Sequence, residues 1–366
     1  MTELVIFGNA QQEFWRREFQ AKVIPKTGNY LEEIQNLVDS GIMPIVQIGQ
    51  NPAEIAELMK FPKKSLVIHL YADETYRVKN NIRVMRLPAT YKILRSYPTP
   101  RIRIQNIFYS TISSFLDIKN SKFKISNSNF VRFWAAGMVM SLRQVSIRIL
   151  GILFRKSSIV CPLGYTDIFC ISFLNYKDYQ LQETSAENES LFLITEKNIQ
   201  DILQNKKNTI CFVGQRGNIA REIAVEEISK TPNSIVIVRD RFGGSIGFNG
   251  STDKTGIEYL KIMLESKFTI CPPGNYSGYS FRLMESLLCF TYPIINNYPL
   301  TDPLFTNPVH AFENKYFPKT WRKLISNVLT QDFSNVSRNI QIARFDLQKK
   351  VDILKFELNN LQRLRN

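Results

Sequence analysis

Twice along this chain, short apolar runs alternate with amphipathic stretches of about ten residues, and that rhythm leaves few folds open. In the first series, Leu4–Gly8, Lys22–Pro25, Met43–Gly49 and Ser65–Ala72 read as strands. Helices are expected over Gln11–Gln20 and Tyr30–Ser40, and from near Pro52, where proline suits a first helical turn. The second series runs strand Thr209–Gly214, helix Ile219–Lys230, strand Ser234–Arg239 and a glycine-rich loop over Phe242–Gly250. It continues through helix Ile257–Ser266, strand Phe268–Cys271, helix Tyr279–Leu288 and strand Tyr292–Asn296. A strand–helix–strand unit sets its strands parallel and covers the sheet with helices. The 366 residues hold two such units comfortably. The expected fold is therefore α/β, with two Rossmann-like domains facing across a cleft. Their expected bounds are 1–175 and 176–335, with the polar, acidic stretch Tyr176–Ser190 opening the second. Residues 336–366 carry apolar side chains at largely helical spacing between lysines and arginines, which predicts a terminal amphipathic helix.

The formal charge of +15 implies an anionic partner: nucleic acid, an acidic membrane surface or a phosphate-bearing substrate. The basic residues are dispersed and no nucleic-acid reading module is present, so no specific nucleic acid is expected. Lys119–Lys156 is basic and aromatic, and reads either as core-facing helix with snorkelling arginines or as a membrane-surface patch. Its apolar part, Phe130–Phe154, is interrupted by Arg132, Arg143 and Arg148, so no spanning helix is expected. The opening MTELVIFGN reads as a strand rather than a leader. Five cysteines without a C-x-x-C pair point to buried free thiols and a reducing compartment.

The chemistry is concentrated in Ser266–Asn297, which reads strand, small-residue loop, helix, strand. Its loop, Pro272-Pro273-Gly274-Asn275-Tyr276-Ser277-Gly278, lies at the carboxyl end of a strand, where open α/β sheets bind ligands. The helix after it presents unpaired amides suited to an anion. Arg282 and Glu285, three residues apart, share one helix face. The cation can neutralise a diphosphate, and the carboxylate can accept from ribose hydroxyls. The plainer reading is an ordinary strand–helix–strand unit with a surface ion pair.

F-x-x-C-P-x-G, a serine-containing turn and R-x-x-E-S-L-x-x-x-x-x-P-I-I together resemble the exostosin-like glycosyltransferases. The matching residues are Cys271, Pro272, Gly274, Ser280, Arg282, Glu285 and Pro293. The resemblance implies a GT-B fold whose carboxyl-terminal domain holds a nucleotide-sugar donor, here through Pro273, Gly274, Asn275, Tyr276, Ser277, Ser280, Arg282 and Glu285. One departure is Phe290, where such proteins often carry glycine. A second element, Cys211–Arg221, again runs from strand through glycine into helix. By the same resemblance Gly214 allows close approach, and Arg216 or Arg221 reaches the diphosphate with a planar fork. In the first half, His69-Leu70-Tyr71-Ala72-Asp73-Glu74, then Arg95-Ser96-Tyr97 and Cys161-Pro162-Leu163-Gly164-Tyr165, are similar to acceptor-side halves of exostosin-related xylosyltransferases.

Asp73 is the first choice for the base that takes the acceptor hydroxyl proton, and Glu74 the second. His69, with apolar immediate neighbours, reads as a satisfied strand histidine. The sequence has no D-x-D pair, so metal-independent catalysis is expected, with no cofactor and the nucleotide-sugar as substrate. The resemblance implies an inverting enzyme, a UDP-sugar donor and a glycan, glycolipid or glycoprotein acceptor. The absence of a leader or anchor suits a microbial or viral cytoplasmic enzyme, peripheral on a membrane, rather than an animal Golgi one. Two other classes stay open: a nucleic-acid- or membrane-binding protein without catalysis, and a nicotinamide-dependent oxidoreductase, suggested by the degenerate glycine pattern at Gly214.

Overall fold

The computed structural model describes residues 4–48, 52–70, 83–86, 158–161, 164–176, 189–215, 219–239, 253–271, 281–295, 312–313 and 321–363. The first sheet has six parallel strands in the order β2-β1-β3-β4-β5-β6. These are β1 (Val5–Phe7), β2 (Lys22–Ile24), β3 (Ile45–Ile48), β4 (Val67–Leu70), β5 (Arg83–Arg86) and β6 (Ser158–Val160). The second has five, also parallel, in the order β11-β10-β9-β7-β8. Its strands are β7 (Asn208–Gln215), β8 (Ser234–Arg239), β9 (Ser266–Ile270), β10 (Tyr292–Ile295) and β11 (Phe312–Glu313). The expected α/β architecture of two parallel sheets and a terminal helix is present.

Strand side chains alternate in direction, so each apolar run feeds both faces of its sheet. In the first sheet Val5, Phe7, Val46, Ile48, Leu66 and Ile68 pack with Ile34, Val38, Ile55 and Leu58. Those last four come from α2 (Tyr30–Asp39) and α3 (Pro52–Leu58). The alternate residues Leu4, Ile6, Ile45 and Val67 join a core that also holds Phe14, Trp15 and Phe19 of α1 (Gln12–Phe19) and Phe169 and Phe173 of α4 (Asp167–Leu174). The same apolar cluster continues through Leu260 and Met263 of α8 (Asp253–Glu265) into the second sheet. Helix α4, which follows the last strand of the first sheet, therefore packs on α8 of the second series. A Cβ on Gly256 of α8 would lie 2.2 Å from Ser172 Oγ and 2.8 Å from Ile168 Cγ2, so glycine lets the two helices touch.

Two short helices that the periodicity did not reveal, α5 (Leu191–Lys197) and α6 (Ile199–Gln204), precede β7. Helices α7 (Ile219–Ser229), α9 (Arg282–Leu288) and α10 (Trp321–Leu329) complete the second unit. Helix α11 (Phe333–Arg363) ends the described chain and opens three residues before the expected 336. Its buried residues Val336, Ile340, Ala343, Leu347, Val351, Leu354 and Leu358 form one seam at steps of three and four. Ile342, Phe345, Ile353 and Phe356, expected in the same apolar pattern, are exposed instead. The helix touches both units: Gln362 Nε2 donates to the Met43 carbonyl at 3.4 Å, and Arg344 reaches α5 and α9. Among the described residues no helix is long and apolar enough to cross a membrane. The Lys119–Lys156 segment lies outside the described residues.

Arg344 is the fixing point of α11. Its Nη1 donates to the Leu287 and Leu288 carbonyls at 3.0 and 3.3 Å, in the last turn of α9. Its Nη2 donates to the Phe192 carbonyl, Thr195 Oγ1 and Glu196 Oε2 at 2.9, 2.6 and 3.3 Å. The guanidinium lies 4.0 Å from the Phe290 ring centroid. A cation at the carboxyl end of a helix meets carbonyls that have no intrahelical donor, so this placement favours both groups. Burial draws the Arg344 pKa down to about 10, which leaves it charged at neutral pH. Arg344→Met would strand those acceptors in the core, and we expect a loss of about 2–4 kcal/mol in unfolding free energy. Urea titration checks this as a lower midpoint at unchanged slope.

Candidate functional site

In an open parallel sheet, the crevice lies where neighbouring strands send their connections in opposite directions. The strand orders place that point between β7 and β9 in the second sheet, and between β1 and β3 in the first. At the second-sheet point, β7 ends Val213-Gly214-Gln215, β9 ends at Ile270, and α9 opens at Arg282. Arg282 extends from α9 to the β7 end. Its Nη2 donates to the Val213 carbonyl, and its guanidinium carbon sits 4.6 Å from the Phe212 ring centroid, a cation–π geometry. Gly214 makes this approach feasible, because a Cβ there would stand 2.6 Å from Arg282 Nη2 and 3.0 Å from Phe212 Cζ. The residue is only 8% exposed, yet its Nε and Nη1 find no partner among the described residues. A buried cation with unused donors is costly unless an anion completes it.

Glu285, one turn further along α9, is 3% exposed. Its Oε1 accepts from the Thr166 amide at 3.1 Å and from Thr166 Oγ1 at 2.7 Å. Its Oε2 accepts from the Tyr259 hydroxyl at 2.7 Å. The carboxylate expected to receive ribose hydroxyls is thus held by three protein donors. Neither Arg282 nor Glu285 lies on a solvated helix face, so the surface ion pair of the plainer reading is absent. Tyr259 is pushed well above the usual phenol range, by its burial first and then by the Glu285 charge, so it remains a donor.

The structure therefore brings together Gly214, Arg282 and Glu285 of the expected donor residues. Arg221 falls on α7. Arg216, Pro273, Gly274, Asn275, Tyr276, Ser277 and Ser280 lie outside the described residues, as do Asp73 and Glu74 beyond the end of β4. Thr166 and Tyr259 were not anticipated, nor was the contact of Phe212, within the Cys211–Arg221 element, with Arg282. A signal for Thr166 existed: threonine, then aspartate, then an apolar run is a helix-start pattern. Its Oγ1 indeed caps α4, accepting from the Phe169 amide at 3.3 Å. Among the described residues no group of three or more His, Cys, Asp or Glu is placed to hold a metal ion.

The first-sheet crevice is built differently. A Cβ on Gly8 would fall 2.0 Å from Gln47 Oε1, so the Gln47 side chain lies over the bare end of β1. That oxygen accepts from the Ala10 amide at 3.3 Å. His69, paired with Gln47 in the β3–β4 register, is fully buried with its ring edge-on to Trp15 at 5.3 Å. It was expected to be a satisfied strand histidine. It is a strand histidine, but neither ring nitrogen has a partner among the described residues. Burial alone lowers its pKa from 6.5 to about 3, so the ring is neutral near pH 7.

No protein-family model and no curated protein matches the chain. Among solved structures it is similar to an α1,3-fucosyltransferase, with a TM-score of 0.41 and 12% identity, over 93% of this chain and 82% of that one. It is also similar to the glycotransferase of kitacinnamycin, with a TM-score of 0.30 and 8% identity, over 96% of this chain and 97% of that one. Both likenesses are distant.

Two outcomes follow from this geometry. Between the unfolded His69 value of 6.5 and the folded value of about 3, the unfolded chain binds the extra proton. The stability contributed by the neutral ring is therefore complete above pH 6.5 and is lost on acidification through that interval. The slope is about 1.4 kcal/mol per pH unit. Urea titrations from pH 7 to 4 should show this component in the native chain and not in His69→Phe, whatever the baseline stability of the variant. At the other crevice, Gly214→Ala should displace the Arg282 guanidinium from Phe212 at a stability cost of about 1–2 kcal/mol. A crystal structure of the variant with Arg282 unmoved would refute that.

Proposed function

We propose that this chain is a glycosyltransferase of GT-B, exostosin-like type that transfers a sugar from a nucleotide-sugar to a hydroxyl of a glycan or glycolipid. The observation that carries the reading is the Arg282 guanidinium, buried at the second-sheet crevice with Nε and Nη1 unpartnered among the described residues and Gly214 clearing its path. A planar guanidinium held in a crevice, with N–H groups directed to more than one side, suits the oxygens of a diphosphate. In this reading Gly214, Arg216, Arg221 and the Pro273–Ser277 loop with Ser280 surround the same diphosphate, and UDP is its nucleotide.

The acceptor comes from the first-sheet side. Its hydroxyl oxygen attacks the anomeric carbon from the face opposite the leaving group, and the carbon–oxygen bond to the diphosphate breaks. The nucleoside diphosphate departs with the bonding electron pair, and the hydroxyl proton passes to Asp73, or to Glu74 in its place. Configuration is inverted. Charge developing on the diphosphate is met by Arg282 and its neighbours in the low-dielectric site, without a metal ion. The charge of +15 favours both a diphosphate and an anionic membrane surface carrying the acceptor.

The test is a thermal-shift screen against UDP, GDP, CMP, NAD and ATP, first without metal and then with Mn²⁺. One nucleoside diphosphate should raise the melting temperature without metal, because a ligand that binds only the folded state must stabilise it. Arg282→Met should weaken that ligand about 30-fold, the equivalent of one charged hydrogen-bonding group. Asp73→Asn should abolish transfer and leave nucleotide binding unchanged. Stabilisation by NAD alone, or by DNA or anionic vesicles with no nucleotide effect, would overturn the reading.

A further inference from the structure

Helix α9 is only seven residues long, so whatever fixes its rotation also fixes where Arg282 points. Its own residues do not supply that constraint at the amino end, because Phe281 makes no side-chain cap. The constraint comes from Glu285, one turn on, which is gripped from two other elements. Thr166 supplies two donors from the start of α4, and Tyr259 supplies one from α8. The Thr166 hydroxyl is itself oriented, since its oxygen accepts from Phe169 while its proton goes to Glu285. The next residue, Asp167, accepts from the Glu13 amide at 2.8 Å and so ties the same turn to α1. Just before it, Gly164 turns the chain at φ +74°, against Phe14 and Gln11.

We propose that Thr166 and Tyr259 are positioning residues of the donor site, acting through Glu285 to aim Arg282; this rests on the reading of Arg282 as the diphosphate ligand. The acceptor-side half of the chain then completes the donor site at a distance from the diphosphate. In this proposal Glu285 acts through this joint rather than by accepting from a ribose hydroxyl.

The experiment measures, on the full chain, calorimetric affinity for two probes. One is inorganic pyrophosphate, and the other is UDP or whichever nucleoside diphosphate the thermal-shift screen selects. Thr166→Val removes the hydroxyl donor and keeps the amide. It should weaken both probes by a common factor of about 10, the size of one lost hydrogen bond to a charged acceptor. Tyr259→Phe should act likewise, and Thr166→Ser should recover affinity. Glu285→Gln keeps an oxygen for Thr166 and turns an amide towards a hydroxyl that can also accept, so it should alter both probes together. Ile55→Val, buried on the far face of the first sheet, serves as the destabilised control and should bind both normally.

Thr166→Val with native affinity for both probes would overturn the proposal. So would Glu285→Gln losing the nucleotide while retaining pyrophosphate, since that pattern means a direct ribose contact. A native chain that binds neither probe would overturn the donor-site reading itself, and this proposal with it.

Discussion

One buried carboxylate joins the halves of this molecule. Glu285 belongs to a helix of the second sheet, yet two of its three donors come from Thr166, at the start of the helix that leaves the first. The arrangement is favourable because the anion lies at the amino end of α4, where helix amides lack intrahelical partners. Glu18 repeats the device in the opposite direction. It leaves α1 of the first unit, accepts from the Leu191 amide at 2.9 Å and the Ser190 hydroxyl at 2.5 Å, and so caps α5. Burial raises its pKa, and the Ser190, Leu191 and Tyr165 hydrogen bonds oppose that rise. Two carboxylates, each crossing to a helix of the other half, fix the relation of the sheets more firmly than apolar contact alone, because hydrogen bonds are directional.

The buried cations separate structure from candidate function. Lys206 donates to the Met263 and Cys289 carbonyls at 3.3 and 2.8 Å and to Thr291 Oγ1 at 2.9 Å, closing the carboxyl ends of α8 and α9. Burial draws its pKa down to about 7. Arg344 spreads its terminal nitrogens over five acceptors. In both, the terminal donors are matched by protein acceptors, as buried charge requires. Among the described residues, Arg282 alone of these three makes a single hydrogen bond and leaves two nitrogens over. Among the described residues every terminal nitrogen of Lys206 and Arg344 is matched, whereas Arg282 keeps Nη1 as well as Nε unmatched, and it lies at the switch point of the sheet.

Much of the fold was legible because strand runs such as Ile45–Ile48 and Ser234–Arg239 are apolar on both faces and bounded by turn residues. Helices α5 and α6 were not, because six or seven residues are too few for a period to show. The start of α5 is set instead by the Ser190 cap and by Glu18 from α1. Helix α4 shows the same limit from another side: Asp167–Leu174 is nearly all apolar, so no amphipathic stripe marks it. At the site, the order glycine, arginine, glutamate pointed to Gly214, Arg282 and Glu285, which the structure brings together at the second-sheet crevice. The partners of Glu285 were hidden because Thr166 and Tyr259 are 119 and 26 residues away, and only the packing of α4 on α8 assembles them.

Phe290 links the local and the distant levels. It follows the α9 cap at φ 51°, a left-handed conformation that glycine adopts more readily, and the Thr291 and Phe290 amides close the helix on the Ser286 and Leu287 carbonyls. Glycine would suit that backbone better by roughly 1 kcal/mol. It would also remove the ring against which Arg344 lies at 4.0 Å. A phenylalanine in this position therefore accepts local strain in exchange for holding the cation that anchors α11 to α9. Two of that cation's acceptors are the carbonyls of Leu287 and Leu288, at the opposite end of the helix that carries Arg282. The phenylalanine thus steadies the short helix from its carboxyl end, as Glu285 steadies it from within, and the Arg282 side chain, with Nε and Nη1 unpartnered among the described residues, projects from its first residue.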